Sequence, residues 1–191
     1  MIPGTRWLRC QLYRLAQLRQ AHSKRRKDPA FRVAPAIDMI LASTALPYSA
    51  AILCVGSRNR IEPDLWRARG FGHVEAIDLM SSDGVREMDM HRLAFTDNSF
   101  DLVFASHVYE HAFEPARALA EAVRVLRPGG YLYAAFPVGF TVNSHDRWDY
   151  AGVPGFVGHL PALARWRLMW CATRNGECRL LLQVGHRLKG D

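Results

Sequence analysis

Runs rich in apolar residues alternate with amphipathic segments along most of the chain. These runs are bounded by turn-forming or acidic residues and predict strands that are buried on both faces. They lie at residues 51–55, 74–77, 100–106 and 131–136, and a weaker strand ends at Met88. Helices are predicted at residues 36–46, 62–69 and 115–126. Strands that alternate with helices indicate a parallel sheet.

The end of the chain has a different pattern. Two strand-like runs, residues 166–171 and 178–184, are separated by a segment that contains Asn175-Gly176. This dipeptide favours the positive φ angles of a tight turn, so the two runs predict an antiparallel hairpin. We therefore predict an α/β fold with a mostly parallel, seven-stranded sheet that ends in an antiparallel hairpin.

The beginning of the chain is basic and amphipathic. Leu8, Leu12 and Leu15 recur at helical spacing among arginines, which predicts a short helix over residues 6–22. The first 32 residues hold nine basic residues and one acidic residue, a charge of +8. The whole chain carries +7, so the remainder is close to neutral at −1. The basic character therefore belongs to the beginning of the chain.

This charge distribution divides the chain into a basic N-terminal helix and linker, residues 1–34, and a folded domain, residues 35–191. Two interpretations of the basic arm remain open. It is a solvated helix that packs on the domain, or it contacts a membrane surface or an acidic partner.

Composition bounds the class of protein. A chain of 191 residues with 49% hydrophobic and 23% charged residues suits one globular domain. The four cysteines have neither zinc-site nor redox-motif spacing, which favours a reducing compartment. The sequence shows neither the pattern of a secretory signal peptide nor that of a transmembrane helix, so we expect a soluble, cytoplasmic protein. The arginine-rich start is alternatively an organelle-targeting peptide.

Candidate binding residues follow the predicted strands. In an open parallel sheet, ligands bind beyond the carboxyl ends of the strands. Gly56-Ser57-Arg58 follows the first strand, where glycine permits close backbone approach. Asp78 ends the second strand, about twenty residues further on, which is where a nucleotide cofactor has its ribose hydroxyls bound by an acid. Asp89 and Met90 follow the third strand.

Together these segments resemble the motifs of class I S-adenosylmethionine-dependent methyltransferases, particularly the type 11 methyltransferase-domain family. The resemblance covers roughly residues 50–137. It is carried, in order, by Ile52-Leu53-Cys54-Val55-Gly56, Glu75-Ala76-Ile77-Asp78, Asp89-Met90, residues 93–103, Glu110-His111 and residues 123–130. The resemblance implies a Rossmann-like, doubly wound sheet and S-adenosylmethionine as the cofactor.

The resemblance also implies roles for particular residues. Asp78 would accept hydrogen bonds from both ribose hydroxyls, and Asp89-Met90 would contact the adenine. The backbone around Ser106 and His107 would face the methionine part of the cofactor. The predicted cofactor-binding residues are Gly56, Ser57, Arg58, Asp78, Leu79, Asp89, Met90 and Ser106. We predict no metal site.

The first motif departs from the family pattern. The family usually has an acid where Cys54 stands, and further glycines where Arg58 and Arg60 stand. Two interpretations follow. Either the loop is a variant in which Arg58, Asn59 or Glu62 replaces the missing contacts, or the fold no longer binds the cofactor. In the variant loop, a guanidinium would pair with the cofactor carboxylate.

Our leading hypothesis is methyl transfer from S-adenosylmethionine to a small-molecule or lipid-like acceptor. His107 is the first candidate for a catalytic base, followed by His145, Asp146 and Tyr150, although each is alternatively a structural residue. Glu110-His111 is interpreted as a helix start. The alternative function is a non-catalytic, methyltransferase-like binding or scaffold protein that acts through its basic N-terminal arm.

Two other enzyme classes fit the sequence less well. Nicotinamide-dependent oxidoreductases usually carry GxGxxG in the first loop, which this chain lacks. Nucleic-acid methylation is disfavoured because Ser106-His107-Val108-Tyr109 stands where an NPPY-type tetrapeptide would follow the fourth strand.

Trp148, Tyr150 and Phe156 either line an apolar acceptor pocket or serve as ordinary packing. The oligomeric state stays open.

Overall fold

The computed structural model describes residues 3–24 and 28–186. The described helices are α1 (Pro3–Lys24), α2 (Ala30–Ser43), α3 (Ile61–Arg67), α4 (Pro115–Val125) and α5 (Val153–Val157), with a 3-10 turn at Tyr109–His111. The described strands are β1 (Ala51–Val55), β2 (His73–Asp78), β3 (Arg86–Glu87), β4 (Phe100–Ser106), β5 (Leu126–Pro137), β6 (Ala164–Arg174) and β7 (Glu177–His186).

These strands form one seven-stranded sheet in the order β3-β2-β1-β4-β5-β7-β6. The first five are mutually parallel, whereas β7 is antiparallel to both β5 and β6. Asn175 and Gly176 turn between β6 and β7 with φ angles of 51° and 72°, as the Asn-Gly dipeptide predicts. The predicted α/β fold, with its terminal antiparallel hairpin, is confirmed.

Helices cover both faces of the sheet. Alternate residues of a strand point to opposite faces, and Leu53 and Ile52 accordingly belong to different apolar clusters. Leu53 packs in the cluster that contains Leu119 of α4, and Ile52 packs in the one that contains Ile37 of α2 and Trp66 of α3. The sheet is therefore doubly wound, and its carboxyl edge is left for loops.

Two element boundaries differ most from the sequence prediction. Helix α2 begins at Ala30, earlier than the predicted residue 36, because Val33 already packs in the core beside Ile37. Strand β5 begins at Leu126, directly after α4 and earlier than the predicted residue 131. Leu126 pairs with Phe100, and the register then shifts, so the glycine-containing segment 127–130 is a bulge within β5.

The basic arm includes α1, whose inner face packs on the body of the domain. The ring of Tyr13 lies 5.4 Å from that of Phe113, and Gln17 Nε2 donates a hydrogen bond to the carbonyl oxygen of His145 at 3.0 Å. Among the helices of the described ranges, α1 included, none has both the length and the apolar character of a membrane span.

Candidate active site

Two neighbouring pockets open at the carboxyl ends of the central strands. The cofactor pocket, as we call the first, lies beyond β1, β2 and β4 and is also bordered by α1. It is lined by Tyr13, Gln17, Val55, Gly56, Arg58, Ile77, Asp78, Leu79, Met88, Met90, His107, Val108 and His111. Apolar walls with few polar groups suit a nucleoside-containing ligand.

The second pocket, which we call the polar pocket, shares Gly56, Arg58, His107 and His111 with the first. Its remaining lining residues are mostly polar or charged: Asp28, Pro29, Phe31, Arg32, Asn59, Glu62, Ser106, Glu110, Pro137 and Asp146. The shared wall means that ligands in the two pockets would lie side by side.

Gly56 is required by the geometry between these pockets. Its φ of +75° lies in the left-handed region, and an added Cβ would stand 2.3 Å from Val108 Cγ2. The backbone amides of Gly56 and Ser57 both donate hydrogen bonds to the carbonyl oxygen of Ile77, at 2.8 and 3.0 Å. This loop is therefore fixed in a tight turn whose glycine lines both pockets without a side chain.

We expect the change Gly56→Ala to lower the free energy of unfolding by about 3 kcal/mol, because left-handed strain and overpacking add. Urea denaturation measures the effect. Gly129→Ala is the matched control, since its φ is +83° but an added Cβ meets nothing within 4 Å. The control should lose only about 1 kcal/mol. Equal losses in the two variants would show that Val108 does not constrain Gly56.

Asp78 is positioned by the end of β2, on the wall of the cofactor pocket. Its Oδ1 accepts a hydrogen bond from the amide of Met80 at 3.3 Å. Burial raises the pKa of this carboxyl, and the positive charge of Arg58 offsets part of that effect. A partly desolvated carboxylate of this kind has acceptor capacity for hydroxyl groups of a ligand.

Glu62 and Ser57 form a buried polar pair behind the first loop. Ser57 Oγ donates a hydrogen bond to Glu62 Oε2 at 2.6 Å. Burial raises the pKa of Glu62 to about 7, although Ser57 and Arg58 both act to lower it. The carboxyl group can therefore be neutral or charged near neutral pH, beside the wall that the two pockets share.

His107 is held between two carboxylates at the end of β4. Its Nε2 lies 2.6 Å from Glu177 Oε2, and its Nδ1 lies 3.4 Å from Glu110 Oε1. Burial alone would lower the pKa of His107, but the hydrogen bonds to these carboxylates outweigh it and raise the pKa. The hydrogen bond from His107 in turn lowers the pKa of Glu177 to about 2. The raised pKa favours the imidazolium form of His107, in which both N–H groups are directed at carboxylates.

The pKa of His111 is shifted in the opposite direction. Its Nδ1 lies 3.0 Å from the carbonyl oxygen of His145. A carbonyl oxygen can only accept a hydrogen bond, so Nδ1 is the nitrogen that carries the proton. Asp146 Oδ1 lies 3.1 Å from the same nitrogen. Burial lowers the pKa of His111 despite the opposing charge of Glu110. The lowered pKa favours the neutral imidazole, protonated on Nδ1, and its Nε2 lies 4.0 Å from Glu110 Oε1 on the wall between the two pockets.

The structure brings most of the predicted site residues together. The cofactor pocket collects Gly56, Arg58, Asp78, Leu79, Met90 and His107, and the polar pocket adds Ser106. Ser57 and Asp89 are not among the residues that line these pockets. Asp89 Oδ1 instead lies 2.6 Å from His91 Nδ1, and His91 Nε2 accepts hydrogen bonds from the amides of Phe113 and Glu114.

The two arginines in the first loop have different environments. Arg58 lines both pockets. Arg60 is directed to the surface, where its guanidinium pairs with Asp64 at 2.6 Å and with Asp83 at 2.7 Å. Of the two cations at positions where the family usually has glycine, Arg58 alone is placed to contact a ligand in these pockets.

The aromatic residues of the irregular segment pack in the interior and do not line these two pockets. Tyr150 Oη donates a hydrogen bond to the carbonyl oxygen of Tyr109 at 2.8 Å, and the Trp148 indole donates to that of Ala112 at 2.9 Å. Phe156 stacks on Phe136. Their ordinary-packing interpretation is the one that the structure favours.

Sequence reasoning missed several residues that line the pockets. Tyr13 and Gln17 come from α1 and Arg32 from α2, elements far away in sequence from the motifs. Glu110 and His111 had been assigned to a helix start, yet both line the polar pocket. Their place just after β4 was the available signal, since residues beyond a strand's carboxyl end face the ligand.

Comparison with known proteins agrees with this geometry. Residues 62–134 match the family model described as "Methyltransferase domain". A demethylmenaquinone methyltransferase from Renibacterium salmoninarum is 38% identical over 101 residues, 53% of this chain and 34% of that protein. A phthiotriol/phenolphthiotriol dimycocerosates methyltransferase from Mycobacterium ulcerans is 57% identical over 47 residues, 23% of this chain and 16% of that protein. The matches thus span about a third or less of these curated relatives.

Solved structures agree on the fold over nearly the whole chain. The 1,6-didemethyltoxoflavin-N1-methyltransferase from Burkholderia thailandensis, solved with S-adenosylhomocysteine bound, superposes with a TM-score of 0.65. The match covers 92% of this chain and 88% of that one at 14% sequence identity, which establishes the fold. A methyltransferase-domain model thus matches residues 62–134, and a methyltransferase of known structure shares the fold of this chain.

Proposed function

We propose that this chain binds S-adenosylmethionine in the cofactor pocket and methylates a lipid-like acceptor whose reacting group enters the polar pocket. The observation that carries the proposal is the shared wall of the two pockets, formed by Gly56, Arg58, His107 and His111. Because a methyl group is transferred directly between two bound molecules, adjacent sites supply the proximity that this reaction needs.

The cofactor pocket has residues suited to each part of the cofactor. Asp78 would accept hydrogen bonds from the ribose hydroxyls, and Met88 and Met90 would contact the adenine as apolar groups. Arg58 would pair with the methionine carboxylate. Gly56 lines both pockets without a side chain, so the cofactor can approach the backbone of this turn closely. When bound, S-adenosylmethionine supplies an electrophilic methyl group on a sulfonium.

The polar pocket supplies a proton acceptor. The neutral His111 would take the acceptor's proton at Nε2, while the carbonyl oxygen of His145 fixes the tautomer through Nδ1. His107, which sequence analysis favoured as the base, would instead act as a fixed positive charge because its protons are held by Glu110 and Glu177. Since both of its N–H groups are directed at these carboxylates, it would position Glu110 on the pocket wall rather than contact the acceptor.

The names of the relatives support a lipid-like acceptor. Demethylmenaquinone and the phthiotriol and phenolphthiotriol dimycocerosates, named for those proteins, are all lipids. Since the matches span a third or less of those relatives, the class of acceptor is our proposal for this chain.

The experiment is an incubation of the full chain with S-adenosylmethionine and a panel of prenylated quinols, long-chain phenols and lipid alcohols, analysed by mass spectrometry. We expect a methylated product from at least one of these lipid-like classes and stoichiometric S-adenosylhomocysteine. Short-chain analogues of the same head groups are the control and should react more slowly. Cofactor binding without product from any of these acceptors would contradict the proposed function.

A further inference from the structure

Helix α1 has two faces with opposite surroundings. Tyr13 and Gln17 are buried and line the cofactor pocket. The guanidinium of Arg147 lies 5.5 Å from the centre of the Tyr13 ring, and Arg14 pairs with Glu87 at 3.6 Å. These contacts hold the inner face of α1 against the domain and fix the direction of its outer face.

The outer face of α1 is apolar and exposed. Leu8, Leu12 and Leu15 have 53%, 58% and 52% of their surface accessible. At about 100° per residue, these leucines lie within roughly 60° of one another and on the side opposite Gln17. Three half-exposed leucines on one helix face form an apolar stripe, which monomeric proteins seldom leave unpartnered.

Charge complementarity indicates what covers this stripe. Arg19 is exposed and lies on the same face as the leucines. The sequence of α1 contains five basic residues and no acidic one. An apolar stripe on a helix of this composition is typical of helices that lie in the interface of a membrane with anionic lipids.

We propose that α1 docks on an anionic lipid surface through Leu8, Leu12 and Leu15. Because the opposite face of the same helix borders the cofactor pocket, docking would hold that pocket within one helix diameter of the bilayer. A lipid acceptor would then reach the polar pocket from the membrane. This last step rests on the proposed function, whereas the docking itself does not.

The test is cosedimentation of the full chain with vesicles, without S-adenosylmethionine or acceptor. We expect binding to equimolar phosphatidylglycerol and phosphatidylcholine vesicles, and little binding to phosphatidylcholine alone. Leu12→Asp should lower the partition coefficient at least about tenfold, because it places a charge in the apolar face. The matched control is Leu163→Asp, at a leucine 68% exposed outside α1, which should bind like the unaltered chain.

Two results would overturn the docking surface. One is the absence of binding to the phosphatidylglycerol vesicles, and the other is an equal response of Leu12→Asp and Leu163→Asp. Circular dichroism spectra and melting temperatures that match those of the unaltered chain confirm that each variant is folded. Since vesicle binding requires no turnover, failure of docking is distinguishable from failure of the proposed methyl transfer.

Discussion

Replacement of Asp78 by alanine is expected to weaken the binding of S-adenosylhomocysteine by about 100-fold. A hydrogen bond to a charged acceptor contributes roughly 1.5–3 kcal/mol, and the carboxylate would accept two from the ribose. Asp78 lies on the pocket wall with its Oδ1 held by the amide of Met80. Isothermal titration calorimetry measures the change in dissociation constant.

The matched control is Asp83→Ala, which removes the same charge from the loop after β2. Asp83 is exposed and pairs with Arg60 at the surface, so its loss should leave cofactor affinity within about twofold. Equal affinity of Asp78→Ala and Asp83→Ala for S-adenosylhomocysteine would show that the Asp78 carboxylate does not hold the ribose.

Replacement of His111 by glutamine is expected to lower kcat by about 100-fold, within the usual contribution of a general base. Glutamine can still donate a hydrogen bond to the carbonyl oxygen of His145, but it cannot take a proton at the position of Nε2. Burial lowers the pKa of His111, so activity should persist to a more acidic pH than an ordinary histidine allows. It should then fall as pH drops below that pKa, because the protonated imidazole is no longer a base. Rates across a pH series measure both effects.

Two further variants distinguish the roles of the histidines. His73→Gln is the control at an exposed position and should keep full activity. His107→Gln removes the group that positions Glu110 and Glu177, so it should lower kcat without abolishing the acidic limb of the pH profile. If that limb disappeared in His107→Gln and persisted in His111→Gln, the assignment of the base would be reversed.

The fold was largely predictable because its signals are local. A buried strand needs a continuous apolar run, and Asn175-Gly176 needs only its own φ preferences to turn a hairpin. The start of α2 was not predictable in this way. Val33 lies within this helix and is fully buried. Its packing in the core extends the helix to Ala30, ahead of the predicted start at residue 36.

The candidate site was predictable where strand ends define it, as at Gly56 and Asp78. It was not predictable where distant segments meet. The hydrogen bond of Gln17 to the backbone of residue 145 joins positions 128 apart in the chain, and no local pattern contains it. The protonation states of His107 and His111 likewise depend on partners such as Glu177, which the sequence places seventy residues away.

The unusual first loop bears on the alternative of a non-catalytic scaffold. Arg58 and Arg60 support that alternative, because they stand where the family usually has glycines. Arg60 is engaged by Asp64 and Asp83 at the surface, and Arg58 is available at the pocket as a partner for a carboxylate. We therefore propose the variant binding loop, in which Arg58 replaces the missing contacts, rather than a fold that no longer binds the cofactor.

The most direct test of this account is a calorimetric titration of the unaltered full chain with S-adenosylhomocysteine, alongside a titration with NAD. The account predicts micromolar binding of S-adenosylhomocysteine and no heat from NAD, because the pocket combines Asp78 with a loop that lacks the dinucleotide fingerprint. Folded protein that binds NAD, or that does not bind S-adenosylhomocysteine, would contradict the account.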